Sequence, residues 1–352
     1  MSVPTVSFGA GIPVAIGKIE RELKNLWDQG GEMMTRASLI NLAVYSEAPD
    51  SLRANTEIVS RVTEDHSCRA IVIAADPSAK TETVEAWINA HCHVSRAGSK
   101  QVCSEQLSFS LAGSFAKLLP NIVFSHLDSD LPFYLWWQGE FHDPMDPQLW
   151  TWVDRLLYDS QSWGNFEAQM RLVEKAQEEA NHRVVLCDLN WARLVQLRLA
   201  LAQFFDHPAS HENLAQIERV GIEFAPGYRS TAVLLVGWLA AQLGWTFNDV
   251  SDDAAWLFAD CSGEAISVSL AEKDGEPVSS CGISSGASQF LVEHPAQANL
   301  LMTSKLVDGV ERMRQLMPAG RNDPVSLMSE ELMRGGPHRV YQRAVQAVRE
   351  LL

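Results

Sequence analysis

The sequence DLPFYLWWQG, residues 130–139, places five consecutive large apolar residues between a turn signal and a glycine. The turn signal is Asp130-Leu131-Pro132, and Gly139 ends the apolar run, which spans residues 133–137. A run of this length is shorter than a typical helix, and its uninterrupted apolar character is typical of a strand with both faces covered. The pattern therefore predicts a short buried strand.

The two adjacent tryptophans of this strand, Trp136 and Trp137, cannot share one pocket. Successive side chains of a strand point to opposite faces of its sheet. One interpretation is that both tryptophans fill the core as large apolar side chains. The other is that one of them anchors a partner protein, because tryptophan is enriched at binding hot spots. The sequence leaves both interpretations open.

The chain before residue 130 alternates between helical and strand patterns, which predicts an α/β layer. The helical patterns cover residues 14–27 and 52–64, and the strand patterns cover residues 39–45, 70–75, 84–94 and 102–111. The last two strand segments are predicted to be adjacent and antiparallel. We therefore expect an α/β N-terminal domain with a mixed sheet.

The composition changes at the polar, turn-like stretch of residues 160–165, and we place a domain boundary there. The predicted domains are residues 1–162 and 163–352. In the second half, residues 231–243 read as a buried helix, and residues 256–302 read as short alternating strands split by Gly and Ser. The second half is therefore predicted to be an α+β C-terminal domain with an antiparallel meander.

The overall composition narrows the classes of partner. The chain has 352 residues, of which 44 are acidic and 28 are basic, and its formal net charge is −16. This balance argues against nucleic acid, whose affinity depends largely on Lys and Arg, and against an anionic membrane surface. The longest apolar run, Thr231 to Trp245, is shorter than the ~20 residues that span a membrane. The first residues lack the basic region of a secretory signal, and six scattered cysteines form no disulfide framework, so we expect a cytoplasmic protein.

The sequence lacks a recognisable loop for a nucleotide cofactor. Gly9-Ala10-Gly11 begins a glycine-bearing stretch, but its next glycine is Gly17 and Pro13 interrupts it. The dinucleotide fingerprint needs its third glycine three residues after the second, directly after a strand. No phosphate-binding G-x-x-x-x-G-K-[ST] sequence occurs either. We therefore predict no cofactor.

A serine nucleophile and a metal site are both weakly indicated. Residues 282–286 match G-x-S-x-G, with Asp308 and His338 further on, but the residues after the motif look like a strand, so a β-hairpin turn is favoured over a hydrolase. His91-Cys92-His93 precedes Cys103, yet on a strand the two histidines face one way and Cys92 the other. No metal site is predicted, although two histidines completed by distant ligands remain an alternative.

The segment DLNWARL, residues 188–194, has the pattern of a helix start. Asp188 stands where a capping residue accepts hydrogen bonds from the first free N–H groups of a helix. Trp191 is predicted to pack inward with the apolar stripe of that helix. Arg193 points away from the stripe, where it can meet a partner or an anion or simply be solvated. The candidate partner-binding residues are therefore Trp136, Trp137, Trp191 and Arg193.

Five segments of the chain, together running from about Ile16 to about Leu270, resemble the glucose-6-phosphate dehydrogenase assembly protein OpcA family. They are DLPFYLWWQG, DLNWARL, DHSCRAIVI (residues 65–73), RLLYDS (residues 155–160) and STAVLLVGWLAAQLGW (residues 230–245). The resemblance implies a non-catalytic protein that binds glucose-6-phosphate dehydrogenase, promotes its active oligomer and raises its affinity for glucose 6-phosphate. The alternative is a sugar-phosphate-binding protein or enzyme with its site in the N-terminal α/β domain, beside Trp136 or Trp137.

The resemblance also raises the question of redox control, because regulation by thioredoxin is associated with cysteines in cyanobacterial members of that family. Cys261 and Cys281 lie on neighbouring segments of the predicted meander and are the best-placed pair, followed by Cys92 and Cys103 on the predicted hairpin. Neither pair has the short spacing of a dedicated redox switch. We therefore expect no dependence on reductant.

Overall fold

The computed structural model describes residues 11–30, 34–94, 101–142, 147–180, 183–251, 253–349 and 351. The chain forms two compact units, and each unit is assembled from three separate chain segments. The first unit consists of Met1–Asp159, Ala168–Cys187 and Pro324–Gly336, and the second consists of Ser160–Glu167, Asp188–Asp323 and Pro337–Leu352.

The α-helices of the described residues are, in chain order, α1 (Ile19–Gly30), α2 (Ser51–Val62), α3 (Leu119–His126), α4 (Pro147–Trp150), α5 (Phe166–Glu179), α6 (Leu189–Arg193), α7 (Val195–Gln203), α8 (His211–Leu214), α9 (Arg229–Leu243), α10 (Pro324–Met333) and α11 (Arg339–Arg349). The strands of the first sheet are β1 (Ile12–Pro13), β2 (Met34–Arg36), β3 (Ile40–Ser46), β4 (Cys68–Asp76), β5 (Thr83–Val94), β6 (Gln101–Ala112), β7 (Phe133–Gln138), β8 (Arg155–Tyr158) and β9 (Val185–Asp188).

The first sheet has the order β1-β5-β6-β4-β3-β7-β8-β9, with β2 paired to β6. The neighbouring pairs from β6 through β4, β3 and β7 to β8 are parallel, whereas β5 runs antiparallel to β6. Helices α2 and α3 lie in the chain between these strands. The prediction of an α/β domain with a mixed sheet is therefore confirmed.

The predicted buried strand is β7, which lies between β3 and β8 in the sheet. Phe133 and Leu135 on one face of β7 are 2% and 0% exposed, and Trp136 on the other face is 5% exposed. Covering on both faces explains why the segment can be apolar without alternation. The prediction from DLPFYLWWQG is confirmed.

The order of the parallel strands is that of a doubly wound sheet. Taking β3, β4, β6, β7, β8 and β9 as strands one to six along the chain, their order across the sheet is 3-2-1-4-5-6. In such sheets the chain leaves in opposite directions from the two central strands, and ligands bind in the crevice at their carboxyl ends. Here that crevice lies at the ends of β3 and β7.

The second sheet consists of β10 (Ile217–Phe224), β11 (Thr246–Val250), β12 (Trp256–Ala259), β13 (Ala265–Glu272), β14 (Val278–Ser285), β15 (Ser288–Glu293), β16 (Leu300–Val307) and β17 (Val310–Pro318). Strands β14 to β17 form an antiparallel meander, and β11 to β13 form another. The predicted α+β domain with a meander is confirmed. In addition, β10 lies between the two meanders, parallel to β13 and antiparallel to β14.

Helix α9 is the centre of the second unit's helical layer. Its residues Ala232 to Val236 are almost entirely buried, as the uniform apolar sequence predicts. Helix α11 packs very closely on it, because a Cβ atom added at Gly237 would lie 2.5 Å from the main-chain oxygen of Ala344. Glycine is required at this position because any larger residue would separate the two helices.

The division into units differs from a single cut after residue 162. Most of α5 and all of α10 belong to the first unit, although both follow that cut. Helix α10 buries Leu327 and Met328 and contacts α2. Sequence composition shows where a chain becomes polar but not on which core a later helix docks.

No helix among the described residues is long and apolar enough to cross a membrane.

Candidate functional site

The crevice at the ends of β3 and β7 is the position where a doubly wound sheet binds a dinucleotide. The loop from β3 to α2 has the sequence Glu47-Ala48-Pro49-Asp50 and contains no glycine. Glu47 accepts a hydrogen bond from the Tyr45 hydroxyl (2.9 Å) and lies 3.0 Å from His142 Nε2. A dinucleotide pyrophosphate needs close approach to a glycine backbone and repels a carboxylate at this position.

A pair of side-chain amides also connects the two sides of this crevice. Asn55 Nδ2 donates to Gln138 Oε1 at 2.9 Å, and Gln138 Nε2 donates back to Asn55 Oδ1 at 2.8 Å. Asn55 lies on α2 and Gln138 ends β7, so the pair joins the helix to the strand at the entrance. The residues of this crevice do not fit a dinucleotide.

The two adjacent tryptophans of β7 lie in the core of the first unit. Trp136 is 5% exposed and Trp137 is 8% exposed. The Trp137 ring lies 4.3 Å from the ring of Tyr45 and 5.3 Å from that of Phe141, and its Nε1 donates to the carbonyl oxygen of Glu140. Of the two interpretations of these tryptophans, their burial favours core filling over display to a partner, because the aromatic neighbours and the strand pairing leave almost no surface for contact.

Asp188 is the centre of a buried group of polar residues, which we call the polar hub: Ser160, Asp188, Asn190, Thr231 and Tyr341. The carboxylate of Asp188 accepts hydrogen bonds from the Ser160 N–H (3.0 Å) and hydroxyl (2.6 Å), the Asn190 N–H (2.9 Å) and the Tyr341 hydroxyl (3.0 Å). The bond from Asn190 is the expected helix cap of α6. The other three extend the role of Asp188 well beyond capping.

Asn190 extends the polar hub to the start of α9. Its Nδ2 donates to the hydroxyls of Ser160 (3.1 Å) and Ser230 (3.2 Å), and its Oδ1 accepts from the Thr231 hydroxyl at 2.5 Å. Asp188, Asn190 and Thr231 are all fully buried. This role could not be predicted from the sequence, because the partners of Asn190 are 30 and 40 residues away along the chain. The polar hub joins all three chain segments of the second unit.

Arg155, the first residue of RLLYDS, has a comparable position in the first unit. It is 7% exposed, and its guanidinium donates to Cys187 Sγ (3.6 Å) and to the carbonyl oxygen of Gly336 (3.3 Å) while lying over the Tyr134 ring. Arg155, Cys187 and Gly336 come from the three chain segments of the first unit. Arg155 therefore connects these segments, although with longer contacts than those of Asp188.

The two candidates of the DLNWARL helix differ in exposure. Trp191 is 2% exposed, packs beside Tyr341, and has the Arg198 guanidinium 3.3 Å from its ring centre. Its predicted inward packing is found, so Trp191 offers no surface to a partner. Arg193 is half-buried, and its Nε donates to Asn322 Oδ1 at 2.5 Å. Arg193 lines a cavity of about 40 Å³ together with Arg321, and it is the candidate that remains at the surface.

A larger cleft of about 440 Å³ lies beside the polar hub in the second unit. Its lining combines the aromatic ring of Trp163, the amides of Gln161 and Asn165, the hydroxyl of Ser230 and the guanidinium of Arg229. Ser230 links the cleft to the hub, since its hydroxyl donates to the Gln161 carbonyl oxygen at 3.4 Å while accepting from Asn190. The lining also includes the carboxylate of Glu167, so the cleft presents both signs of charge and can hold a polar side chain.

The residues considered for a metal or a nucleophile make other contacts. His91 hydrogen-bonds Gln106 at 2.9 Å, His93 Nε2 lies 3.2 Å from the Thr63 hydroxyl, and Cys92 is bonded to Cys103 in a disulfide between β5 and β6. His91, Cys92 and His93 therefore have different partners and do not point at a common position.

The G-x-S-x-G sequence lies on β14 and its turn to β15, with Gly286 at φ +53°. The β-hairpin is confirmed, since a nucleophile elbow needs a helix after the turn. Asp308 lies in the turn between β16 and β17, and His338 directly precedes α11. Gly9 and Ala10 of the glycine-bearing stretch lie outside the described residues.

Cys261 and Cys281, the better placed of the two candidate pairs, are not joined in the structure. Cys261 is an exposed free thiol in the turn after β12, and Cys281 is a buried free thiol in the middle of β14. Burial raises the pKa of Cys281 to about 12, which keeps its thiol protonated and unreactive. The bonded pair is Cys92 and Cys103, which the sequence placed second.

Two family models match the chain in succession. One is described as the glucose-6-phosphate dehydrogenase subunit N-terminal domain and matches residues 59–175; the other is described as the C-terminal domain of the same subunit and matches residues 184–345. Together they contain all five segments on which the resemblance rested, including DLPFYLWWQG and DLNWARL.

Curated relatives come from cyanobacteria. A protein of Nostoc punctiforme is 27% identical over 192 residues, which is 53% of this chain and 40% of that protein, and one of Synechocystis is 25% identical over 193 residues, which is 54% of this chain and 40% of that protein. Both carry the provisional name OxPP cycle protein OpcA. The matched region thus spans less than half the length of these relatives.

Solved structures with a similar course of the chain are distant. An oxidoreductase domain protein from Kribbella flavida is 9% identical with a TM-score of 0.49 and covers 90% of this chain and 96% of its own. An aldose-aldose oxidoreductase from Caulobacter crescentus is 9% identical with a TM-score of 0.48 and covers 88% and 95%. A likeness of this size has no functional implication. The two consecutive family matches and the cyanobacterial relatives show that the chain belongs to the OpcA family of glucose-6-phosphate dehydrogenase assembly proteins.

Proposed function

We propose that this protein is a non-catalytic assembly factor that binds glucose-6-phosphate dehydrogenase, promotes its active oligomer and raises its affinity for glucose 6-phosphate. The observation that carries the proposal is the succession of two family models, over residues 59–175 and 184–345, both described as parts of a subunit of that dehydrogenase. The partner and the effect on it are proposals, because the match covers only 40% of the curated relatives.

The geometry of the first unit supports a binding role. Its sheet has the strand order of dinucleotide-binding proteins, yet Glu47 and the Asn55–Gln138 amide pair occupy the crevice where the cofactor would lie. A protein with this crevice is not suited to transfer a hydride itself. It can still act on a dehydrogenase by binding to it.

An activator of this kind needs no active site. It must bind the active conformation of the dehydrogenase more tightly than the inactive one, and the shift in population equals that difference in affinity. A surface that discriminates between two conformations must itself hold its shape. The polar hub and Arg155 supply that rigidity, since each connects the three chain segments of its unit.

The experiment is a titration of this protein into the dehydrogenase from the same organism, with the rate measured at limiting glucose 6-phosphate. We expect the apparent KM for glucose 6-phosphate to fall, with the largest rise in rate at low substrate. Unchanged kinetics at saturating assembly protein would contradict the proposal.

Arg193 is the one predicted partner contact at the surface, and we include it in the proposal. Arg193→Ala should weaken activation without an equal loss of thermal stability. The matched control is Arg21→Ala, since Arg21 is an exposed arginine on α1 whose ion pair with Glu22 is at the surface. Equal activation by both variants would remove Arg193 from the contact surface.

The alternative, a sugar-phosphate protein with its site beside Trp136 or Trp137, is not favoured by their burial. It predicts a rise in melting temperature of the isolated protein with glucose 6-phosphate, since a ligand that binds only the folded state stabilises it. The assembly-factor proposal predicts no such shift. The thermal measurement therefore separates the two.

A further inference from the structure

Among the described residues, burial alternates along the strands of the second unit's sheet, which indicates one covered face and one partly exposed face. Along β10, Val220, Ile222 and Phe224 are at most 4% exposed, whereas the intervening Gly221 and Glu223 remain partly exposed. Successive strand residues point to opposite faces, so the buried set marks the helical side and the partly exposed set marks the other side. An antiparallel sheet commonly has one solvated face, but a solvated face normally carries long polar side chains.

The exposed face of this sheet carries mostly small side chains, and we call it the open face. The register places Ser269, Gly221, Gly282 and Leu291 side by side across β13, β10, β14 and β15. In the next row, Ser267 and Ser284 flank Arg219. The open face is the outer side of all eight strands, and its centre is formed by these residues: Gly221, Ser267, Ser269, Gly282, Ser284 and Leu291. This centre is nearly flat, whereas β15 to β17 carry longer side chains such as Gln289 and Arg314.

The charge of the open face differs from that of the chain. The whole protein has a net charge of −16. The register places three basic residues (Arg219, Lys273 and Arg314) and four acidic residues (Asp249, Glu223, Glu293 and Glu311) on or beside the open face; Glu223 is paired with Lys273 at 3.1 Å, and Glu311 is paired with Arg314. Two copies of so acidic a chain repel one another over most of their surfaces. They can approach closely only where the charge is low and balanced.

The size of the open face matches that of a stable interface. The eight strands of the sheet, spaced ~4.8 Å apart with ~6 residues each at ~3.4 Å per residue, have a face of roughly 800 Å². A specific protein–protein interface of standard size buries about 800 Å² on each partner. Two such sheets can pack face to face at the ~10 Å separation of stacked sheets.

We propose that the open face is the interface of a homodimer, in which the sheets of two copies pack against each other about a two-fold axis. A two-fold interface places the same patch on both subunits. A flat face with similar numbers of positive and negative charges can therefore pack against a second copy of itself. A different protein would need a matching flat sheet of its own. A second copy of this chain is therefore the occupant that best fits the flatness and the charge of the open face.

The test is the mass of the isolated protein by size-exclusion chromatography with light scattering, across micromolar concentrations. We expect the wild-type protein at twice its chain mass of 39.0 kDa. Gly282→Arg should shift it to a single chain mass, with the dimer Kd rising roughly 100-fold or more, because the two-fold axis brings two like charges into one desolvated interface. A Cβ atom at Gly282 meets only Leu291 Cδ1 at 3.6 Å, an ordinary contact, so the change does not disturb the fold.

The matched control is Gly17→Arg, an exposed glycine of the first unit with no atom within 4 Å of an added Cβ. It should remain dimeric, and circular dichroism and melting temperature should show both variants folded. A monomeric wild type, or a dimeric Gly282→Arg, would overturn the proposal. A monomeric wild type combined with a folded Gly282→Arg that no longer activates the dehydrogenase would also overturn it, and would assign the open face to the dehydrogenase instead. Activation of the dehydrogenase and the mass of the isolated protein are measured in separate experiments. If the proposed function is wrong, the mass measurement still tests the dimer.

Discussion

Each of the two units joins three separate chain segments, and the interactions that join them differ between the units. In the second unit, Asp188 accepts four hydrogen bonds of 2.6–3.0 Å and is fully buried. In the first unit, Arg155 makes contacts of 3.3 and 3.6 Å, and apolar packing around β7 and α10 supplies most of the burial. A polar hub fixes geometry, whereas an apolar core fixes stability, because hydrogen bonds are directional and hydrophobic burial is not.

The largest expected effect tests the apolar side of this comparison. Trp137→Ala should lower the free energy of unfolding by about 3–5 kcal/mol, because it removes a buried indole and leaves a cavity among Tyr45, Phe141 and Trp150. Urea unfolding followed by fluorescence measures the change. The control is Trp152→Ala, since Trp152 is 59% exposed. Its effect should stay within about 0.5 kcal/mol, and equal losses from both variants would contradict the core assignment.

The second effect tests the polar hub. Asp188→Ala should cost about 2–4 kcal/mol, more than the ~1 kcal/mol expected of a helix cap alone, because it leaves buried donors of Ser160 and Tyr341 without an acceptor. Asp188→Asn keeps the shape and one acceptor oxygen and should cost less than half as much. If Asp188→Ala abolished activation of the dehydrogenase at an unchanged melting temperature, Asp188 would be a contact residue and not a structural one.

The sequence predicted those parts of the fold that depend on local pattern. The five apolar residues of β7, the helical stripe of α1 and the cap at Asp188 each follow from neighbouring residues alone. Strand β9 was missed because Val185–Asp188 is only four residues long. The crevice could not be predicted either, since Asn55 and Gln138 are 83 residues apart in the chain.

Residue type alone could not decide the role of the three candidate tryptophans. Trp136, Trp137 and Trp191 are the kind of side chains that anchor partners, but the same large apolar surface also makes them the best fillers of a core. Only exposure separates the two roles, and exposure is a property of the packed chain. Asn190 shows the reverse case, since it is a polar residue that the sequence analysis did not single out and that is buried in the polar hub.

A smaller effect tests the weaker connection of the first unit. Arg155→Met keeps the aliphatic part of the side chain but removes the hydrogen bonds to Cys187 and Gly336, at a cost of about 1–2 kcal/mol. Tyr341→Phe removes one hydrogen bond from Asp188 and should cost about 1 kcal/mol. Chemical denaturation of both variants measures the two connections side by side. If Arg155→Met lowered the free energy of unfolding more than Asp188→Ala does, the stronger polar connection would lie in the first unit and not in the second.

The smallest expected effect concerns reductant. The disulfide Cys92–Cys103 lies within the long β5–β6 ladder, whose twelve paired positions hold the same register without it. Dithiothreitol should therefore leave activation of the dehydrogenase unchanged. A several-fold difference between oxidised and reduced protein, abolished by Cys92→Ser, Cys261→Ser or Cys281→Ser, would show that this expectation is wrong.

The assembly of each unit from three chain segments has a consequence for synthesis of the protein. Domains commonly fold one after another as the chain leaves the ribosome, beginning with the N-terminal one. Here the first unit includes α10, and the second includes α11, so both remain incomplete until residues beyond 323 have been translated. The side of α2 that α10 contacts stays uncovered during that time, and we expect the incomplete chain to be prone to aggregation. Truncations that end before α10 should accumulate as aggregates instead of as a functional half.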